Sequence, residues 1–286
     1  MTVHLTAFAF VVGMALSAAD CGIAGRRHPH LPSIKNPLIA FFEWFGDLGV
    51  FCGRLIWAAF TPPYEIREFV HQFDELGSKS MPLVALAGSA TGVVLTLSTR
   101  DSLFRFGAKS FLPAVVVFSI IKESGPIITA LVVSGRAAAG IGAELSAMKV
   151  SEQIDAMEAS AVNPYKFLVA TRVLACMLML PLLTVVADFF GIVMGWAANT
   201  LTEPISLRLF ISDGFKGATF NDFLPPTMKT VVFGVIIGVV SCFQGMRATG
   251  GTEGVERAAT SSVVLASLLI ILADVLLVHL ILVFFS

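Results

Sequence analysis

Five long stretches of this 286-residue chain contain almost no charged side chains, and each approaches or exceeds the length needed to cross a lipid bilayer. A transmembrane helix needs about 20 predominantly apolar residues, and its backbone polar groups must be hydrogen-bonded within the segment. The stretches are Ser80–Thr99, Ser110–Gly135, Val173–Thr202, Thr230–Met246 and Ala258–Ser286. The sequence therefore predicts an all-α polytopic membrane protein with five spans and its termini on opposite sides of the membrane.

The composition agrees with a membrane protein and argues against other classes. Hydrophobic residues make up 56% of the chain and charged residues 14%, whereas a typical soluble domain is about 25% charged. A disordered chain would be poor in hydrophobic residues, and a nucleic-acid-binding protein would carry a basic excess. This chain has 19 Lys and Arg and 20 Asp and Glu, so it carries no basic excess. The four cysteines form no CxxC pair, so the sequence predicts neither a disulfide framework nor a zinc site.

The region before the first span is organised differently. Residues 1–36 are predicted to be a peripheral extension. Asn36 is a good N-cap for a helix over Pro37–Phe60, whose charges Glu43, Asp47 and Arg54 fall within about 40° of one another at 100° per residue. A single polar edge on an otherwise apolar helix favours an interfacial elbow helix, with a sixth span as the alternative.

A second amphipathic helix is predicted between the elbow and the first span. Tyr64–Lys79 has apolar residues at helical spacing and charged residues on the opposite face. We therefore divide the chain into an extension (1–36), the elbow and amphipathic helices (37–79) and a five-span domain (80–286).

The distribution of Lys and Arg orients the spans. Twelve of these residues lie on one side of the predicted membrane and six on the other, while Lys122 lies within a span. Because cytoplasmic loops carry an excess of Lys and Arg, the richer side is predicted to be cytoplasmic. The C-terminus would then end outside.

Three pairs of glycines are spaced four residues apart within the spans. They are Gly88 and Gly92, Gly191 and Gly195, and Gly234 and Gly238. Small residues at this spacing allow helix backbones to approach closely, so one interpretation of each pair is a tight helix contact or a dimer seam. The alternative is the general richness of membrane helices in glycine.

The longest polar connection on the predicted cytoplasmic side covers residues 136–172, between the second and third spans. It holds a run of small residues and then an acidic segment with helical composition, Ser151–Ala159, for which Ser151 is the predicted N-cap. Asn163–Pro164 is expected to cap the following helix. A solvated turn is the simpler interpretation, but two helices need far fewer connecting residues, which favours a docking element for a cytoplasmic partner.

Two segments of the chain resemble the MlaE/YrbE family, the permease subunits of Mce-type ABC lipid transporters. The first covers residues 122–191 and includes the sequence EQIDAM at 152–157. The second covers residues 229–277 and includes GTEGVERAAT at 251–260. Agreement at both of these specific sequences is hard to obtain by chance, and together the segments account for most of residues 80–286.

The resemblance implies a particular assembly in the bacterial inner membrane. It implies an elbow helix with five spans, a homodimer of this chain, a cytoplasmic ABC ATPase, a periplasmic Mce-domain protein and a membrane lipid as substrate. It also implies a coupling helix between the second and third spans that contacts the ATPase. The candidate coupling residues in this sequence are Glu144, Lys149, Glu152, Gln153, Asp155 and Glu158.

Four charged residues interrupt the apolar stretches: Lys122, Glu123, Asp188 and Asp274. A charge at the centre of a spanning helix costs about 2.5–3.5 kcal/mol on insertion scales, so such residues face a cavity or a partner. They lie near the midpoints of three spans, and hence at similar depth. Lys122 and Glu123 are about 100° apart and do not face each other. We therefore predict that Lys122 pairs with Asp188 or Asp274, and that Glu123 faces the lipid pathway. Static ion pairs between helices are the alternative.

The sequence does not predict ATP hydrolysis by this chain. The text closest to a phosphate-binding GxxxxGK[ST] motif, residues 107–110, lacks the glycine before lysine and lies on the predicted outer side. ATP is therefore expected on the partner subunit, and no cofactor or metal is expected here. His28 and His30 are interpreted as surface residues.

Two other function classes remain open at this point. The four intramembrane charges could form a proton or ion relay in a secondary transporter or channel, although no inverted repeat is visible. An intramembrane enzyme is the other class, but no nucleophile–base pair is visible in the sequence.

Overall fold

The computed structural model describes residues 37–60, 66–201, 203–216 and 220–285, and the regular structure within these ranges is helical. Five of the described helices are long and apolar enough to cross a membrane, as predicted. The predictions made for residues 1–36, including those for His28 and His30, lie outside the described residues.

Eight helices follow one another along the described chain. The spanning helices are α2, α3, α5, α7 and α8, while α1 precedes them and α4 and α6 are short helices in the connections. Their bounds are α1 Pro37–Phe60, α2 Ile66–Arg105, α3 Lys109–Val150, α4 Gln153–Ala159, α5 Tyr165–Thr200, α6 Leu207–Gly214, α7 Phe220–Met246 and α8 Gly251–Phe285.

The predicted amphipathic helix at Tyr64–Lys79 is not a separate element. Its described part forms the first turns of α2, which continues without a break into the first span. Side-chain contacts four residues apart hold this part together, from Gln72 to Glu68 and from Lys79 to Glu75. Such contacts support a helix in water, and α2 continues through Gly77 and Pro82, which lie at the junction, into the apolar part.

The spanning helices pack in a chain of neighbours, α2 on α5, α5 on α7 and α7 on α8. The middle of α3 packs against α2 and α5, and its predicted cytoplasmic end packs against α7 and α8. Most of the buried apolar side chains form one core among these helices. A smaller core at the predicted outer end joins the start of α3 to α6 through Phe210, which is fully buried.

All three glycine pairs lie at tight contacts within the chain. A Cβ atom on Gly92 would lie 1.9 Å from the carbonyl oxygen of Gly191, and one on Gly88 would lie 2.5 Å from that of Ala187. In the same way, a Cβ atom on Gly234 in α7 would lie 2.5 Å from the carbonyl oxygen of Cys176 in α5. The predicted tight helix contacts are therefore confirmed, and they join α2 to α5 and α5 to α7.

Replacing Gly92 with alanine is expected to destabilise the bundle by about 1–3 kcal/mol, because the obstructing atoms belong to the α5 backbone and cannot rotate away. Gly140→Ala is the matched control, since a Cβ there meets nothing within 4 Å and alanine favours the helix. Thermal unfolding in detergent measures both. Equal melting temperatures for the two variants would contradict the tight contact.

Helix α1 lies against the ends of α5 and α7 that are predicted to be cytoplasmic. Phe51 packs on Tyr165 and on Phe243, with ring centroids 5.6 and 5.5 Å apart. On the polar edge, Asp47 pairs with Arg247 at 2.9 Å. These contacts all lie at one end of the bundle, and protein groups satisfy part of the polar edge of α1. Its position at the membrane interface stays a prediction.

Candidate functional site

Helix α3 widens at the two charged residues that interrupt it. Residues Ile120–Ser124 form a π-helical turn that carries Lys122 and Glu123. Gly125–Pro126 follows directly, and a proline there has no N–H to donate while its ring clashes with the carbonyl four residues earlier, so regular α-helical bonding is interrupted at this turn. Such wide turns within α-helices are frequent at functional sites.

Lys229 of α7 lies at the centre of a three-helix ion pair. Its Nζ atom is 3.0 Å from Glu123 Oε2 on α3 and 3.0 Å from Asp274 Oδ1 on α8. The Lys229 side chain is only 1% exposed, whereas that of Glu123 is 49% exposed. One buried ammonium thus connects α3, α7 and α8, and it donates a hydrogen bond to Glu123.

The predicted partner of Lys122 is wrong. Lys122 Nζ lies 2.7 Å from Asp222 Oδ1, near the start of α7, and so pairs with neither Asp188 nor Asp274. Lys229 occupies the position beside Asp274 instead. We name Lys122, Glu123, Asp222, Lys229 and Asp274 the charged cluster; with two ammonium groups and three carboxylates, its formal charge is −1.

Lys229 directly precedes the predicted stretch Thr230–Met246, so the sequence placed this residue at the edge of the fourth span and outside the set of intramembrane charges. In the structure α7 begins at Phe220, so Lys229 lies inside the helix and is buried. A signal was present in the sequence, since the predicted stretch Thr230–Met246 is shorter than the roughly 20 residues that a span needs.

Asp188 of α5 lies beside the wide turn but outside the charged cluster. Its Oδ1 atom is buried and accepts no hydrogen bond from any residue that the structure describes. The Asp188 Oδ1 atom lies against Gly125, so that a Cβ atom built on Gly125 would be only 1.8 Å from it. A small cavity lined by Gly88, Ser124 and Ala187 adjoins this contact.

Replacing Asp188 with asparagine is expected to change stability by no more than about 1 kcal/mol, because no cation within the described chain depends on its charge. The matched change Asp274→Asn removes one of the two carboxylates around a buried ammonium, and is expected to cost about 2 kcal/mol or more. The free energies of unfolding of the two variants are measured in detergent and compared with that of the wild type. A larger loss for Asp188→Asn would show that a cation partner has been overlooked.

The connection at 136–172 consists mainly of helix. Its first part continues α3 to Val150, its last part begins α5 at Tyr165, and α4 lies between them. Asn163 caps α5 as predicted, since its Oδ1 accepts a hydrogen bond from the Tyr165 N–H at 3.0 Å. The predicted N-cap role of Ser151 is wrong, because Ser151 terminates α3 and its hydroxyl donates back to the carbonyl of Ala147.

Helix α4 packs against the rest of the bundle through one buried side chain and one ion pair. Ile154 is 1% exposed and joins the main core, while Lys149 pairs with Asp155 at 2.6 Å across the corner between α3 and α4. Glu152, at that corner, has a left-handed backbone with φ of 59°. This conformation costs about 1–2 kcal/mol for a residue with a Cβ atom.

Four of the candidate coupling residues are exposed on α4 or directly before it. The other two lie near the end of α3 and form ion pairs. The exposed residues are Glu152, Gln153, Asp155 and Glu158. Lys149 is engaged with Asp155, and Glu144 accepts a hydrogen bond at 2.7 Å from Arg172, whose side chain is 1% exposed. Arg172 also donates to the carbonyl of Leu168 at 2.9 Å, so it joins α3 to the start of α5.

Comparison with known proteins relates the whole bundle to transporter subunits. The sequence profile of the family described as Permease MlaE matches residues 69–280. A protein of Rickettsia felis named Probable ABC transporter permease protein is 32% identical over 248 residues, which are 87% of this chain and 96% of its own. A similarly named protein of Synechocystis is 31% identical over 208 residues, or 73% of this chain and 79% of its own.

A plant protein is related over a similar region. The chloroplast protein of Arabidopsis thaliana named TRIGALACTOSYLDIACYLGLYCEROL 1 is 29% identical over 234 residues, which are 82% of this chain and 67% of its own. Its name contains that of a galactolipid. The region that the family profile matches, residues 69–280, includes most of each spanning helix, the charged cluster and α4.

Proposed function

This chain belongs to the MlaE permease family, and we propose that it moves phospholipid or a related lipid as the membrane subunit of an ABC transporter. Its place among ABC transporter permeases rests on the family match and on relatives that share at least 30% of their residues with it over most of their length. The lipid substrate goes beyond these findings, and it is supported by the name of the related plant protein.

The observation that carries the proposal is the half-exposed charge on an apolar surface. Lys122 and Glu123 are 46% and 49% exposed, and they lie in the stretch Ser110–Gly135, which carries no other charged residue. Charges at such positions require a water-filled cavity or a second subunit. A cavity that is polar at the charged cluster and apolar elsewhere suits an amphiphile, and two copies of this chain would enclose it.

We further propose that ATP is hydrolysed by a separate cytoplasmic ATPase bound at α4. In support, the exposed acidic residues Glu152, Asp155 and Glu158 form a surface that a basic groove would complement. On the outer side, a periplasmic Mce-domain protein would receive or supply the lipid, which places the assembly in the bacterial inner membrane. Membership of an ABC permease family favours this function over an ion-coupled relay.

The experiment is co-purification of the chain from its native membrane, followed by reconstitution into phospholipid vesicles. We expect an ATPase to co-purify and its hydrolysis to rise when lipid is transferred to the Mce-domain protein. Glu152→Lys and Asp155→Lys should each reduce both ATPase retention and lipid-stimulated hydrolysis. Asp74→Lys, an exposed acid on α2, is the matched control and should leave both unchanged.

Two results would overturn the proposal. Normal retention and hydrolysis in both charge-reversal variants would remove the docking role of α4. Ion flux without lipid transfer in the reconstituted vesicles would favour the relay of a secondary transporter instead.

A further inference from the structure

Helix α4 is bounded by two unusual backbone corners. Within the described residues, Glu152 and Ala161 are the two non-glycine residues with positive φ, and both have φ of 59°. One directly precedes α4 and the other lies two residues after its end. The other described residues with positive φ are the glycines Gly107, Gly250 and Gly251.

The second corner has the hydrogen bonds of a Schellman motif. The N–H of Ala161 donates to the carbonyl of Glu158 and that of Val162 to the carbonyl of Met157, both at 3.0 Å. The left-handed position of this motif is usually glycine, but alanine occupies it here. The first corner is related, since the N–H of Glu152 donates to the carbonyl of Lys149 at 3.2 Å.

A residue with a Cβ atom restricts the backbone at such a corner more than glycine does. The left-handed region that a residue with a Cβ atom can occupy is small, whereas glycine also moves through a wide range of other positive φ values. Leaving this region would break the hydrogen bonds of the corner. It would also withdraw Ile154 from the core, where it is 1% exposed. The angle of α4 is therefore fixed at both ends and in the middle.

We propose that Glu152 and Ala161 are positioning residues that make α4 a rigid lever between α3 and α5. A displacement of α4 would then move the ends of both helices as a unit, instead of being absorbed in the two connections. Helix α3 continues from this end to the wide turn that carries Lys122 and Glu123. The lever thus links the α4 surface to the charged cluster, and its use in transport rests on the proposed function.

The rigidity of the lever is tested on the full-length chain in detergent by hydrogen exchange of the α4 amides. Ala161→Gly is expected to speed this exchange about tenfold while leaving the melting temperature unchanged, because glycine relieves strain but frees the corner. Ala161→Asn should exchange like wild type, since asparagine tolerates the left-handed region. Ala147→Gly, at an exposed site within α3, controls for the general effect of glycine.

The use of the lever is tested in the reconstituted complex with its ATPase. Ala161→Gly should retain the ATPase but move several-fold less lipid for each ATP hydrolysed, and Ala161→Asn should restore the wild-type ratio. A purely structural role would lower ATPase retention or melting temperature and leave the ratio unchanged.

The outcomes separate this inference from the proposed function. Wild-type exchange and a wild-type lipid-to-ATP ratio in Ala161→Gly would overturn the lever. If the wild-type chain retained no ATPase, the proposed function would fail, and the exchange measurement would still decide whether the corners are rigid.

Discussion

Replacing Lys229 with methionine is expected to destabilise the protein by about 3–5 kcal/mol, the largest effect of any single change in the charged cluster. Two carboxylates, those of Glu123 and Asp274, share this one ammonium at 3.0 Å each. Because the Lys229 side chain is 1% exposed and that of Asp274 is 11% exposed, removing Lys229 would leave the Asp274 carboxylate buried without a cation, whereas the carboxylate of Glu123 is 49% exposed. The two acids would face each other across α3 and α8 without a cation.

The comparison with neutralised partners tests this explanation. The triple change Lys229→Met, Glu123→Gln and Asp274→Asn removes all three charges, so it should be more stable than Lys229→Met alone. Lys109→Met is the matched control, because Lys109 pairs with Glu203 at the surface and is 55% exposed, and exposed pairs contribute about 0–1 kcal/mol. Unfolding in detergent measures all three. A triple variant less stable than the single one would refute the role of unpaired charge.

Glu144→Ala is expected to cost about 3 kcal/mol or more, and more than Arg172→Met, although both break the same ion pair. The asymmetry comes from the residue that survives. Without Glu144, the guanidinium of Arg172 stays buried at 1% exposure with the Leu168 carbonyl as its acceptor. Without Arg172, the carboxylate of Glu144 is 50% exposed and regains water.

The double variant Glu144→Ala with Arg172→Met should be more stable than Glu144→Ala alone. Lys149→Met is the control within the same region, since the pair of Lys149 and Asp155 is largely exposed and should contribute about 1 kcal/mol at most. Unfolding is measured as before, and lipid-stimulated hydrolysis is measured at a temperature where all variants are folded. Arg172→Met as the more damaging single change would contradict the burial argument.

Several features could be predicted from the sequence because a local rule determines them. Asn163 precedes a proline and caps α5, since its side-chain oxygen reaches the next free N–H. The glycine pairs lie at close helix contacts, because only residues without a side chain allow backbones to approach so far. The helical character of residues 136–172 could be predicted from their length and composition, but the role of Ser151 could not, since a helix end and a helix start share the same small polar residues.

The pairing of the intramembrane charges could not be predicted in this way. The sequence places Glu123 and Asp274 at similar depth, and in the structure both lie 3.0 Å from Lys229, but it does not predict this shared cation and it assigns Lys122 to the wrong aspartate. The wide turn before Gly125–Pro126 changes the direction in which Lys122 and Glu123 point, and a regular helical wheel does not include it. Lys229 was excluded at the outset, because the start of α7 was placed too late.

The sequence by itself determined that this chain has five helices long and apolar enough to cross a membrane, because apolar stretches of that length have no other stable environment and their backbones must be helical there. Only the tertiary structure decided that Lys229 balances Glu123 and Asp274, that Asp188 stays apart from them, and that Arg172 is buried beneath Glu144. The physical reason is that pairing depends on the rotation and register of each helix against its neighbours. These are set by close packing over many residues, and no short sequence pattern records them.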